Sequence, residues 1–161
     1  MRKKSSESQT SESITLEEAI ALKTNARARG NPEMAEQIAL FNWLRAMSGK
    51  YPDLAKPYAI PNGEKRDKIT ASRLKAAGVK AGVWDIFCPR GKTYDWAGLY
   101  IEMKAPGKYN PPSKGLTQAQ IDFRKEDSEY EYSFKVFDSW IDAAKHISEF
   151  YGVPREVWEK I

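Results

Sequence analysis

The stretch Gly98-Leu99-Tyr100-Ile101-Glu102-Met103-Lys104 decides how this chain reads. Side chains alternate across a β-strand, so Leu99, Ile101 and Met103 share one face and Tyr100, Glu102 and Lys104 the other. The first face is core. The second sets a carboxylate and an ammonium side by side. Upstream, Val83 to Cys88 reads as another strand, with Asp85 between Trp84 and Ile86. If the two strands pair as an antiparallel hairpin, Asp85 and Glu102 converge. Two carboxylates at a sheet edge beside a lysine suit a hard divalent cation, which needs few protein ligands and keeps its waters. A Glu-x-Lys triplet is common by chance, and its plain reading is a surface pair on an edge strand. The rest of the chain therefore has to carry the argument.

Further out, Asn31-Pro32-Glu33 is a helix start, with Asn at the N-cap and Pro at the first helical position. Met34, Ile38, Phe41 and Leu44 recur as an apolar stripe, and Ser48-Gly49 ends the helix. A preceding helix is expected over Thr15 to Arg29. Tyr51 to Asp67 reads as a loop containing a short strand, Tyr58-Ala59-Ile60, and the turn Asn62-Gly63. A basic helix is expected from Thr70 to Ala77, a loop over 105–115, and a helix from Thr117. There Thr117 and Gln120 match a capping box. Tyr132 to Phe137 reads as a strand and Trp140 to Tyr151 as a closing helix. The order is α/β, with a small mixed β-sheet flanked by α-helices.

The chain has 161 residues, enough for one domain, expected over 14–161 behind a disordered N-terminal tail at 1–13. One Cys and one His exclude intrachain disulfides, zinc fingers and Cys/His zinc sites. Any metal must rest on oxygen ligands, which favours Mg2+ or Mn2+. No apolar run is long enough to span a membrane. A lone cysteine makes the cytoplasm the default compartment. The net charge of +4 hides an uneven distribution. Lys50 to Lys80 holds eight basic residues against three acids, including Lys65, Arg66, Lys68, Arg73 and Lys75, while the segment from Glu126 onward is acidic. A basic middle leans towards a polyanionic partner.

Several strings taken together resemble a known family. Tyr58-Ala59-Ile60-Pro61-Asn62-Gly63, Arg66, Leu74 to Asp85, Ile101-Glu102-Met103-Lys104 and Leu116-Thr117-Gln118-Ala119-Gln120 follow in the order seen in VRR-NUC nucleases. That family belongs to the PD-(D/E)xK superfamily, with a restriction-endonuclease-like fold. The matching pieces run from about Glu33 to Tyr151. The resemblance implies that Asp85, Glu102 and the backbone carbonyl of Met103 hold the metal and that Lys104 is the catalytic lysine. It also implies that Gln120, Glu33 and Gln37 join the site, with Glu36 a competitor for the acidic role. Gln120 is equally explained by its capping box, and both roles are compatible. The Pro-Asn-Gly turn with Asn62 and Arg66 would lie near the substrate. One departure is Trp84, where the family usually has Pro before its first catalytic Asp.

The resemblance implies a metal-dependent, structure-specific DNA endonuclease, with Holliday-junction resolution and a homodimer suggested by small stand-alone members. Such members are often phage- or bacterium-encoded and act in the host cytoplasm. Lys65, Arg66, Lys68, Arg73, Lys75, Lys108 and Lys114 are candidate phosphate contacts. No zinc finger or basic zipper is present, so recognition of DNA shape is favoured over base reading. The alternative is a catalytically inactive nuclease fold that binds branched nucleic acid, supported in sequence by Trp84 alone.

Overall fold

The computed structural model of the chain describes residues 30–61, 68–93, 95–109, 114–127, 130–159 and 161, with Lys68 and Asp127 described by backbone alone. The expected tail, the expected helix over Thr15 to Arg29, and Asn62, Lys65 and Arg66 lie outside the described residues.

Helix α1 spans Pro32–Ser48. Asn31 Oδ1 accepts the Met34 amide at 3.1 Å, satisfying a donor that the first turn would leave unpaired. The buried side is Ala35, Glu36, Ala39, Leu40, Trp43 and Leu44. This corrects the stripe read from the sequence. Ala35 and Ala39 bring the helix close to the sheet, while Met34 is 42% exposed and Ile38 and Phe41 stay partly open. A 3-10 turn at Pro52–Ala55, not foreseen, drives Leu54 into the core beneath α1.

Strands β1 (Tyr58–Ala59), β2 (Ile86–Pro89), β3 (Gly98–Met103) and β4 (Tyr132–Phe137) form one sheet in the order β1-β2-β3-β4. The first two pairings are antiparallel and β3 with β4 is parallel. A parallel pair needs a crossover, and α3 (Gln118–Asp127) supplies it. Helix α2, Lys68–Ala76, precedes β2 and begins two residues earlier than its sequence suggested. The closing helix α4 covers Trp140–Phe150, and a short α5 at Arg155–Trp158 follows it. The sequence reading did not include α5.

Each face of the sheet buries a separate apolar layer. Ile86, Cys88, Leu99, Ile101 and Met103 pack against α1 and α4 in the larger core. On the opposite face Trp84, Phe123 and Val136 form a smaller core under α3. The two helices of the larger layer are tied by a buried polar bond: Glu36 Oε2 accepts the Trp140 amide at 3.0 Å, at the start of α4. A carboxylate at a helix N-terminus is favoured twice, as a cap and by the helix dipole.

One boundary matters for the site. The strand expected over Val83 to Cys88 starts only at Ile86. Gly82, at φ +81°, lies so close to α3 that a Cβ there would sit 2.3 Å from the Ala119 carbonyl oxygen. The chain therefore runs along α3, and Trp84 turns into the smaller core instead of pairing with β3. It bends at Asp85 to join the sheet.

Among the described residues, no helix is long and apolar enough to cross a membrane. Cys88 is buried, and burial pushes its thiol far above the ordinary range, so it stays protonated and unreactive.

Candidate active site

The pairing of β2 with β3 sets Ile86 opposite Ile101. One step along that register brings Asp85 alongside Glu102. Asp85 is fixed from both sides: its carbonyl accepts the Ile60 amide at 2.7 Å, and its Oδ2 accepts the Met103 amide at 3.0 Å. The residue that ends the bend thus stitches β1 and β3 together and holds its carboxylate at the end of the sheet.

Glu102 is 1% exposed. Its Oε1 accepts Lys104 Nζ at 2.6 Å and the Gln120 side-chain amide. Its Oε2 is buried and meets no donor among the described residues. A bond with Asp85 is open to Glu102 only if the two carboxyls share a proton. Burial first, and then the Asp85 charge, push Glu102 up to about 7, against the pull of Lys104 and Gln120. Burial raises Asp85 as well, opposed by the Met103 amide and Lys104.

Glu33 enters from the first turn of α1. It faces Lys104 and Asp85 and accepts the Ala105 amide; half-burial raises its pKa above the ordinary value. Glu36, the competitor, points to Trp140 and holds α4 instead. Geometry thus separates two acids three residues apart. Gln37, one turn beyond Glu33, lines an apolar groove of about 450 Å3 with Met34, Ile38, Phe41 and Tyr58. It is not seen bonded to the carboxylates.

Gln120 carries both of its expected roles. Its Oε1 accepts the Thr117 amide at 2.9 Å, closing the capping box, while its Nε2 reaches Glu102. Lys104 is held in place along its length, being 12% exposed, with Gly115 against its alkyl stem. The Met103 side chain belongs to the core. Arg73, Lys75 and Lys108 are exposed, and Lys114 lies over the Tyr109 ring at 5.6 Å. Lys68 has its backbone in α2, and its side chain lies outside the described residues.

These residues fit a hard cation. The buried Glu102 carboxylate lies beside the half-buried Asp85, one Glu102 oxygen meets no donor among the described residues, and two carboxylates beside one ammonium favour a further positive charge or a shared proton. Among the described residues, no group of three or more His, Cys, Asp and Glu side chains is placed to hold a metal ion between them. A cation here would therefore complete its shell largely with water and phosphate, as Mg2+ and Mn2+ do. Asp85 and Glu102 would hold it, with the Met103 carbonyl beside them in the chain.

The structure also gives Trp84 a task. Its side chain is 0% exposed, meets Phe134 edge-on at 5.1 Å, and donates from Nε1 to the Gln120 carbonyl oxygen at 3.1 Å. The residue before Asp85 thus holds the backbone of the residue that grips Glu102. Trp84→Phe keeps most of the packing and removes the bond. Groups that orient a metal ligand are worth about 10- to 100-fold, so if Glu102 and Asp85 hold a divalent cation, Mn2+ affinity should fall by about tenfold in this variant. Calorimetric titration of Mn2+ beside a thermal melt checks this; unchanged affinity would refute it.

No family model matches the chain, and no curated protein does. A solved structure described as a VRR_NUC domain protein is similar over 76% of this chain and 89% of its own, with a TM-score of 0.58 and 24% identity. The chain accordingly shares the fold of that VRR_NUC domain protein, a mixed four-stranded sheet with flanking helices.

Proposed function

We propose that this chain is a divalent-metal-dependent, structure-specific DNA endonuclease that hydrolyses phosphodiester bonds. The observation that carries the reading is the buried Glu102 beside half-buried Asp85, with Lys104 and Gln120 both bonded to one Glu102 oxygen and the other oxygen without a donor among the described residues. The likeness in fold supports it. Bound Mg2+ or Mn2+ would offset the charge of the carboxylates and the phosphate and make a water molecule more acidic.

The chain's own residues do the rest. Asp85 and Glu102 fix where the charge sits, because one is tied to the Met103 amide and the other to Gln120. Lys104 is bonded to Glu102 and can turn its ammonium to a phosphate oxygen or to the attacking water. Glu33 lies across from Lys104, where the opposite charges attract. The exposed Arg73, Lys75 and Lys108 contribute phosphate contacts, so affinity falls as salt rises. Without a groove-reading module, DNA shape is the natural criterion for choosing a site. A four-way junction, whose arms are related by two-fold symmetry, would suit a homodimer.

The test is a panel of labelled duplex, flap, splayed-arm and four-way-junction DNA with Mg2+ and with Mn2+, together with light scattering for mass. Cleavage of branched substrates above duplex is the expected result. Retarded complexes with no cleavage of any substrate in either metal would overturn the enzymatic reading and leave a binding protein.

A further inference from the structure

Next to the carboxylate pair, on the same face of the sheet, the four strands set one aromatic residue each in register. Tyr58 pairs with Phe87, Phe87 with Tyr100, and Tyr100 with Phe134. Their rings touch in sequence, at 5.7 Å, 4.7 Å and 5.2 Å between centroids, and Tyr132 adds contacts to Phe87 and Tyr100. The opposite face at the same level is sealed, whereas here α3 covers only one end, where Phe123 meets Tyr100 and Phe134. At the other end Tyr58 is 52% exposed, and Phe87, Tyr100 and Tyr132 are half-buried.

Tyr100 and Phe134 pack against the smaller core, but Tyr58 and Phe87 belong to neither core, so packing does not explain that end of the row. Its place does. Asp85 and Glu102 lie two residues further along β2 and β3, about 7 Å away at the usual rise of a strand. The row itself carries no charged side chain, and the nearest cations are each paired: Lys104 with Glu102 and Lys80 with Glu126. Lys104 stands at the site, and Lys80, paired with Glu126, lies over the Phe123 ring at 5.4 Å. Basic α2, with exposed Arg73 and Lys75, follows β1 in the chain. A row of rings open at one end, two residues from a carboxylate pair suited to a phosphate-bound cation, matches an extended polynucleotide whose bases are free to stack.

We infer that the Tyr58–Phe87 end of this row is a stacking platform for unpaired DNA bases flanking the phosphate held at Asp85 and Glu102. The preferred substrate then has single-stranded character next to the cut, as a flap or splayed arm does. The cleavage half of this inference rests on the proposed function; the binding half does not.

The experiment measures binding by fluorescence anisotropy in EDTA, with the full chain, a labelled poly-dT strand and a blunt duplex of equal length. Base–aromatic stacking is worth about 1–3 kcal/mol per base, so Tyr58→Ala should weaken single-strand binding by about tenfold. Tyr58→Phe, which keeps the ring, should stay within about twofold, and duplex binding should not change in either variant. Tyr58 is an exposed edge-strand residue, and circular dichroism and a thermal melt verify that both variants fold. Equal single-strand affinity in wild type and Tyr58→Ala overturns the inference, as does an equal loss for both DNAs. Conversion of a dimer to a monomer by Tyr58→Ala, with affinity intact, also overturns it and assigns the face to a second copy. If the wild type cuts nothing yet shows the Tyr58 dependence, the platform stands and the nuclease reading falls.

Discussion

Replacing Glu102 with Gln or Asp85 with Asn is expected to abolish cleavage, and replacing Lys104 with Met to cut it severely, each while leaving a folded protein. The carboxylate variants keep side-chain volume and remove the charge that holds the cation. Lys104→Met keeps the alkyl stem that packs by Gly115 and removes the ammonium. Loss of one preorganised charge aimed at a developing oxyanion costs about 10²–10³ in rate. Lys104→Met should fall in that range, and the two carboxylate variants should fall to background. Glu33→Gln should be milder, about tenfold, because Glu33 acts through Lys104 and Asp85 and is not itself placed as a ligand of the cation. Chelation of the metal should match the carboxylate variants, and restored Mg2+ should rescue only the wild type. Single-turnover rates on a labelled flap, with calorimetric titration of Mn2+, separate loss of metal from loss of chemistry. Full activity in any one of the three folded variants would remove that residue from the site.

Much of this was legible before any coordinates. Alternation along Gly98 to Lys104 placed Glu102 on one face and the apolar residues on the other, because a strand buried on one side leaves little freedom in register. Asn31 and Pro32 announced α1, and Thr117 with Gln120 announced α3, since caps are local chemistry. What failed depends on contacts distant in sequence. The apolar stripe on α1 was misplaced because Ala35 and Ala39 hide among larger residues, yet their smallness sets the packing. Nothing in Glu33 and Glu36 themselves distinguishes them. One meets Lys104 and the other a helix start, Trp140, that lies 104 residues away. Strand β2 starts late because Trp84 is drawn into the core under α3, a choice made by Phe123 and Phe134. The aromatic row is invisible in sequence for the same reason: one residue per strand becomes a row only once the register is known.

Glu102 makes the second large prediction, for stability in metal-free buffer. Its folded pKa of about 7 stands above the ordinary carboxylate value of 4.5, so the folded chain holds a proton that the unfolded chain releases. Stability therefore falls as pH rises from about 4.5 to about 7, and the full cost persists above that window. A tenfold difference in proton affinity between the two states is worth about 1.4 kcal/mol, which bounds the cost at about 3 kcal/mol. Because Asp85 and Glu102 titrate together, that figure belongs to the pair. Glu102→Gln deletes one of three carboxylates facing a single ammonium. Lys104 keeps Asp85 and Glu33 as partners, so its charge is not stranded. The variant should therefore melt roughly 5–10 °C above wild type near pH 8 and match it near pH 4. Mg2+ should narrow the gap near pH 8 by stabilising the wild type alone, since a ligand stabilises only the state that binds it. If Glu102→Gln instead melts below wild type near pH 8 without metal, the Lys104 ion pair outweighs the like-charge repulsion, and the carboxylates are a structural pair and not a cation site.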